Sequence, residues 1–152
     1  MKVFRVYADT SVYGGCFDEE FQAASEKFFR EVREGRFVLV ISDIVNLELE
    51  RAPEAIRNLA RALPQSQIDQ VQVTQEREDL QQAYLEAKVV GPASAADALH
   101  IAVATVQGVE LVVSWNFKHI VHFDKIAGFE AVNGLKGYRT PRIYSPKEVV
   151  EP

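Results

Sequence analysis

The chain has 152 residues, of which 47% are hydrophobic and 26% charged, values that fit one globular domain and leave little room for a second. The single cysteine, Cys16, excludes an internal disulfide, and the net charge of −5 excludes non-specific duplex binding through a wholly basic surface. We expect a cytoplasmic protein without a membrane anchor, because no run approaches the ~18 apolar residues of a membrane span.

In chain order, the hydrophobic pattern predicts strands and helices that alternate. The predicted strands run from the start to residue 8 and over 37–41, 68–74, 110–113 and 142–144. The predicted helices cover about 17–34, 43–49, 53–63, 75–89 and 94–107, and a capping box with proline at the first helical position opens a last one at 145–148. The stretch before the last predicted strand contains Gly128, Gly134, Gly137 and Pro141, which predict a looser segment.

Alternation of this kind is typical of a parallel sheet covered by helices. We therefore predict an α/β fold, a three-layer α/β/α sandwich with a central, mainly parallel sheet. Residues 1–152 contain no linker or repeat, which predicts a single domain. Charge is uneven within it, since residues 118–147 carry six lysines and arginines against two acids, which is typical of a solvated surface or of a local basic patch.

Polar side chains follow the predicted strands at the edge where parallel strands end, and this edge is where such folds bind ligands. They are Asp9, Thr10 and Ser11 after the first strand, Ser42 and Glu48 after the second, Asp97 in the helix before the fourth, and Ser114 and Asn116 after the fourth. Their carboxylate, carboxamide and hydroxyl oxygens favour Mg²⁺ or Mn²⁺ over zinc. Asp97 lies in a helix that is apolar on nearly every side, where a bound cation would offset the cost of a buried charge.

Three of these acids have structural alternatives. Asp9 is also typical of a helix cap after the first strand. Asp97 lies three residues after Ser94, so it could complete a capping box. Asp43 and Glu50 are alternatives to the acid that follows the second strand.

The polar and aromatic neighbours of the acids also have structural alternatives. His100, one turn from Asp97, is more typical of a structural histidine than of a substrate contact. Asn116 is typical of an ordinary turn. Trp115, Phe117 and Phe123 are more typical of core residues than of platforms for base stacking.

Four short motifs resemble those of PIN domains and occur in the family's order. They are 6–11 with the first aspartate, 41–49 with a serine and an acid six residues later, 96–102 with the third acid, and 111–117 with the Thr/Ser-x-Asp element. The second motif selects Glu48 over its acidic neighbours. Each motif is short, but together they are fairly specific.

The resemblance implies a divalent-metal-dependent ribonuclease that hydrolyses RNA phosphodiester bonds, most like the VapC-type toxins of bacterial and archaeal toxin–antitoxin pairs. Such toxins are typically homodimers that a small antitoxin protein holds inactive. The metal-binding and catalytic residues that it implies, with Mg²⁺ or Mn²⁺, are Asp9, Glu48, Asp97 and Asn116. The implied contacts to the RNA substrate are Thr10, Ser11, Ser114, Lys118, Arg139 and Arg142, of which Thr10 and Ser11 would alternatively support Asp9.

The chain departs from the family pattern at two positions. The family usually has aspartate where this chain has Asn116, and a further acid where it has Lys118. Because asparagine carries no charge, an alternative is a catalytically weak or inactive PIN-like domain that binds RNA or protein. A receiver-like phosphoacceptor and a haloacid-dehalogenase-type phosphatase are disfavoured, since the paired acids that they need are absent around Asp9.

Overall fold

The computed structural model describes residues 2–152, in which five strands alternate with helices. The strands are β1 (Phe4–Ala8), β2 (Phe37–Ser42), β3 (Ile68–Val71), β4 (Leu111–Val113) and β5 (Arg142–Tyr144). The helices are α1 (Thr10–Gly15), α2 (Gln22–Arg33), α3 (Asp43–Glu50), α4 (Glu54–Arg61), α5 (Gln75–Glu86), α6 (Ala95–Gln107), α7 (Phe123–Lys136) and α8 (Pro146–Val149). Within this range, no helix combines the length and the apolar character needed to cross a membrane.

All neighbouring strands are parallel, and their order is β3-β2-β1-β4-β5. Three consecutive residues of β1, Val6, Tyr7 and Ala8, are fully buried, as expected for a strand covered on both faces. The predicted three-layer α/β/α fold with a parallel sheet is confirmed. The strand at 142–144 is an edge strand, also as predicted.

The strand order reverses between β1 and β4. The chain crosses from β1 to β2 on one side and later adds β4 on the other side, with Ala8 opposite Val113. In open parallel sheets, ligands bind outside the carboxyl ends of the strands at such a reversal. Asp9 and Ser114 are the residues that follow these two strands.

Helices α3 and α6 bring two further acids to this region. Ser42 ends β2 and caps α3, because its Oγ accepts a hydrogen bond of 3.3 Å from the backbone N–H of Val45. Glu48 lies in this helix. Asp97 lies in the first turn of α6, which ends at Gly108 with a left-handed backbone (φ 73°).

Residues 10–33 differ from the predicted single helix at 17–34. Helix α1 begins directly after Asp9 and continues through both glycines, Gly14 and Gly15, to its end. Turns cover residues 16–21, and α2 begins at Gln22. The prediction was wrong because Gly15 serves packing rather than chain reversal: a Cβ there would lie 2.6 Å from Nε1 of Trp115.

The predicted loose stretch also contains a helix, α7, which has 14 residues. Glycines inside it suggested a loop. However, Gly128 lies where a Cβ would be 2.8 Å from Cγ1 of Val89, so its lack of a side chain permits close packing against the chain after α5. Gly137 ends the helix with a left-handed backbone (φ 84°).

Candidate active site

Asp9 is the most constrained of the acids. Its side chain is almost fully buried, with 5% exposed, and it lies between the ends of β1 and β4. Oδ1 accepts a hydrogen bond of 2.5 Å from the Ser11 hydroxyl, and Oδ2 accepts one of 2.7 Å from the Ser114 hydroxyl. Although Asp9 occupies the position before α1, its side chain makes no capping hydrogen bond, so helix capping does not explain it.

Both serine hydroxyls are themselves oriented by backbone groups. Ser11 Oγ accepts a hydrogen bond of 2.9 Å from the Trp115 N–H, and Ser114 Oγ accepts one of 2.9 Å from the Asn116 N–H. Each hydroxyl proton is therefore directed at Asp9. Ser11 and Ser114 therefore hold the Asp9 carboxylate in place, and their contact with substrate stays a prediction.

Glu48 lies at the end of a buried chain of hydrogen bonds. Its Oε1 lies 2.7 Å from Nε2 of His100, and the other ring nitrogen, Nδ1, lies 2.6 Å from the Tyr7 hydroxyl. The Tyr7 hydroxyl in turn lies 2.7 Å from Ser42 Oγ. Both ring nitrogens of His100 thus have partners, as expected for a structural histidine. Thr10 Oγ1 donates a further hydrogen bond of 3.2 Å to Glu48 Oε1.

The acidic neighbours of Glu48 lie elsewhere. Asp43 Oδ2 accepts a hydrogen bond of 3.1 Å from the Val73 N–H, after β3. Glu50 is exposed and lines a different cleft, beside α4 and β3. Of the three acids of α3, only Glu48 contacts Thr10 and His100.

Asn116 lies beside Asp97 but turns its oxygen away. Oδ1 accepts hydrogen bonds from the N–H groups of Lys118 (3.2 Å) and His119 (2.8 Å). Burial raises the pKa of Asp97, and the Asn116 side chain opposes that rise; because backbone donors occupy the Asn116 oxygen, we infer that its NH₂ group faces the carboxylate. In this conformation the turn after β4 uses the Asn116 oxygen as an acceptor, and the role of Asn116 as a metal ligand stays a prediction.

The three acids differ in the direction of their pKa shifts. Burial raises the pKa of Asp9, and it raises that of Asp97, although His100 and hydrogen bonds oppose both shifts. Burial also acts on Glu48, but the hydrogen bonds from His100 and Thr10 outweigh it and lower the pKa. Within residues 2–152, no lysine or arginine forms an ion pair with any of the three. Among the described residues, the side chains that oppose the negative charge at this edge are two histidines, His100 and His119.

A comparison with protein-family models gives a match to the PIN domain over residues 6–133, which is most of the chain and includes every acid described above. The chain belongs to the PIN domain family. PIN domains are generally metal-dependent nucleases, so the family provides a coarse function for this edge. Among curated proteins, no sequence matches the chain significantly.

The residues of this PIN domain fit a hydrated Mg²⁺ or Mn²⁺ ion better than a tightly caged metal. Within residues 2–152, no three His, Cys, Asp or Glu side chains form a ready cluster of ligands, so neither a zinc cage nor a site of three carboxylates is preformed. Mg²⁺ keeps several waters and uses one or two carboxylates. Asp9 and Asp97 supply hard oxygen donors without a lysine or arginine partner, which suits such an ion.

The predicted basic contacts divide between the two edges of the sheet. Lys118 is exposed and lies two residues after Asn116, at the carboxyl edge. Arg142 begins β5, and Arg139 lies in the chain before it. Both arginines line a cleft with residues that begin β1 and β4, at the opposite edge. The structure therefore does not bring them to the acids, because in parallel strands the first and last residues lie at opposite edges.

Tyr7 and His119 are contributors to this site that the sequence did not reveal. Tyr7 has the pattern of a core residue, and only its buried hydroxyl, which requires a partner, was a signal. It links His100 to Ser42. His119 lies close enough to Asp97 to lower the pKa of that carboxyl group, and its sequence position after a turn gave no such signal.

We predict that millimolar Mn²⁺ raises the melting temperature of this PIN domain, because the cation binds only the folded arrangement of acids. Asp97→Asn should reduce this shift by more than half. Without metal, it should leave the protein as stable or more stable at pH 7, because the raised pKa of Asp97 means that ionisation disfavours the folded state. That gain should vanish below a pH of about 4, where aspartate is protonated in the unfolded chain too.

Differential scanning fluorimetry with and without Mn²⁺ measures both effects. Asp79→Asn is the matched control, since Asp79 is an exposed acid of α5 and lies outside the candidate site. Equal Mn²⁺-induced shifts in the wild type and in Asp97→Asn would show that Asp97 does not bind the metal.

Proposed function

We propose that this PIN domain, acting as a single domain over residues 1–152, is a divalent-metal-dependent ribonuclease that hydrolyses RNA phosphodiester bonds. One observation carries the proposal: Asp9 is a buried carboxylate with a raised pKa, next to further acids and without a lysine or arginine partner. An isolated buried charge is costly, so it is retained where a ligand compensates it. PIN domains generally bind divalent metals, which supports a divalent cation as that ligand.

The side chains divide the work of hydrolysis according to their pKa shifts. Asp9 and Asp97 would hold the cation, and Ser11 and Ser114 keep Asp9 oriented. When bound, the cation lowers the pKa of a coordinated water and offsets charge on the phosphate. Glu48 stays ionised, because His100 and Thr10 lower its pKa, and a carboxylate of this kind accepts a hydrogen bond that orients the attacking water.

The resemblance to VapC-type toxins supports a finer proposal, that the protein is the toxin of a toxin–antitoxin pair. In that role it would be a cytoplasmic homodimer, kept inactive by a small antitoxin protein. Inducible expression tests the role directly: the wild type should arrest growth and Asp9→Asn should not. Equal growth of both strains would contradict the toxin role.

The alternative is a PIN domain that binds RNA or protein with little or no cleavage. The orientation of Asn116 favours it, because a neutral NH₂ group faces Asp97 where the family usually has a second carboxylate. A hydrogen bond from the Asn116 amide group stabilises the ionised Asp97 carboxylate, which reduces the need for a cation there. The two functions differ in one measurable property, RNA cleavage.

We predict Mn²⁺-dependent cleavage of single-stranded RNA by the wild type and at least a hundredfold loss of rate in Asp9→Asn, since the change removes a metal ligand from the site. The measurement is the rate of product formation on a labelled RNA, with and without chelator. Asp79→Asn should cleave at the wild-type rate. Cleavage that persists in Asp9→Asn would point to a contaminating nuclease or to a different site, and it would remove the basis of the proposal.

We predict that Asn116→Asp strengthens Mn²⁺ binding about tenfold, which corresponds to about 1.4 kcal/mol. One carboxylate oxygen would keep accepting hydrogen bonds from the N–H groups of Lys118 and His119, and the other would face Asp97 in place of the NH₂ group. Calorimetric titration measures the affinity. A slow wild-type nuclease should also become faster at limiting metal, whereas an inert binder would gain affinity without cleaving RNA.

The control for this variant is Asn58→Asp, which adds the same charge at an exposed position of α4. Its Mn²⁺ affinity should remain within about twofold of the wild type, because exposed charges are screened by salt. If Asn116→Asp behaves like this control, the side chain at position 116 does not face the metal.

A further inference from the structure

Three aromatic side chains form a cluster beside the candidate active site. Phe21 stacks on Trp115, with ring centroids 4.3 Å apart and planes 20° apart. Phe117 packs against both, 6.1 Å from Trp115 at 69° and 6.4 Å from Phe21. Phe21 and Trp115 are partly buried, whereas 48% of Phe117 is exposed. The expectation that Phe117 is a core residue is therefore wrong, and the cluster presents an aromatic ring to solvent.

The inner part of the cluster is held firmly. Trp115 Nε1 donates a hydrogen bond of 2.8 Å to Ser25 Oγ, and the Ser25 hydroxyl donates one of 2.8 Å to the carbonyl oxygen of Val12. Gly15 provides the space for this contact, since a Cβ there would collide with Ser25 Oγ and Trp115 Nε1. Helices α1 and α2 thus fix the indole that supports Phe117, so the exposed ring needs little ordering when a ligand binds.

The cluster is also connected to the acids by short contacts. The Trp115 N–H donates to Ser11 Oγ at 2.9 Å, and the Ser11 hydroxyl donates to Asp9 at 2.5 Å. Asn116, whose NH₂ group faces Asp97, lies between Trp115 and Phe117 in the chain. The exposed ring therefore borders the place where a phosphate would bind.

The chemistry around Phe117 matches one nucleotide of single-stranded RNA. Unstacked bases bind to aromatic faces, whereas bases within a duplex are already stacked on their neighbours. Lys118 follows Phe117, is exposed and forms no ion pair with another residue in 2–152, so its charge is available to a phosphate. The short segment from Trp115 to Lys118 therefore carries an aromatic face and a positive side chain, and it contacts Asp9 through Ser11.

We propose that Phe117, supported by Trp115 and Phe21, is the residue on which an unpaired RNA base next to the scissile phosphate stacks. This inference rests on the proposed ribonuclease function. Trp115 is the only tryptophan in the chain and lies in the cluster, so its fluorescence reports occupation of this platform.

The test is a titration of Asp9→Asn, which prevents cleavage, with a single-stranded oligoribonucleotide and with the corresponding duplex. The single strand should quench Trp115 fluorescence and bind at least tenfold more tightly than the duplex. Adding Phe117→Leu, which keeps an apolar side chain but removes the aromatic face, should weaken single-strand binding about tenfold. Phe117→Tyr should stay within about twofold of the parent.

Leu135→Ala is the matched control, because Leu135 is an apolar residue of α7 that is 87% exposed and lies near the end of that helix. It should leave RNA affinity unchanged. Melting temperatures of the Phe117 variants within a few degrees of the parent show that any loss of binding comes from the platform and not from unfolding.

The outcomes separate this inference from the proposed function. If the wild type cleaves RNA but Phe117→Leu binds the single strand as tightly as its parent, the stacking platform is wrong and the nuclease function stands. If Phe117→Leu weakens binding but the wild type cleaves no RNA, the platform stands and the nuclease function fails. If neither binding nor cleavage of RNA occurs, both are overturned, and Phe117 then belongs to a surface for a protein partner.

Discussion

The pair of hydrogen bonds that holds Asp9 between β1 and β4 is the contact on which the rest of the site depends. Its two oxygens accept from Ser11 on one side and from Ser114 on the other, so a single carboxylate joins the ends of two strands that are distant in sequence. Neither serine brings positive charge. The fold therefore buries a carboxylate at its switch point and stabilises its geometry more than its charge.

The pKa values of the two neighbouring acids shift in opposite directions. Asp97 shares the raised pKa, since burial dominates there and Glu48 adds repulsion. The pKa of Glu48 is lowered, because His100 contacts its carboxylate. His100 is itself held by a buried series of hydrogen bonds through Tyr7 to Ser42. Environments that move the pKa values of nearby carboxyl groups apart are typical of sites in which those groups have different roles. The proposed division of roles, with Asp9 and Asp97 at the cation and Glu48 at a hydrogen-bonded water, follows this difference, and the predicted role of Glu48 as a metal ligand is not tested by it.

The sequence predicted the layer architecture because buried parallel strands are continuous apolar runs. Their carboxyl ends share an edge, which is why Asp9 and Asp97 were expected near each other, whereas the choice of Glu48 over Asp43 and Glu50 came from the resemblance to PIN domains. The sequence could not show which atom of Asn116 faces Asp97, since that depends on two backbone donors in the following turn. It also misplaced Phe117, because a hydrophobic residue reads as core whether or not a neighbour covers it.

For a related reason, the sequence did not show the packing role of two glycines or the location of two arginines. Gly15 and Gly128 read as breaks, but each allows a large side chain from a distant segment to approach a helix. In the sequence, Arg139 and Arg142 belong to one basic segment with Lys118. In the structure the two arginines lie at the edge where the strands begin, and Lys118 lies at the edge where they end, so the length of a strand separates them. Tertiary contacts decide both cases, and they leave no local pattern.

The central claim is that the edge next to Asp9 binds a divalent cation, and anomalous diffraction from crystals soaked in Mn²⁺ tests it most directly. The account predicts one strong anomalous peak within coordination distance of the Asp9 and Asp97 carboxylates, at roughly 2.0–2.6 Å with the remaining ligands supplied by water. No peak at this edge at millimolar Mn²⁺, or a peak only at exposed acids elsewhere on the surface, would contradict it.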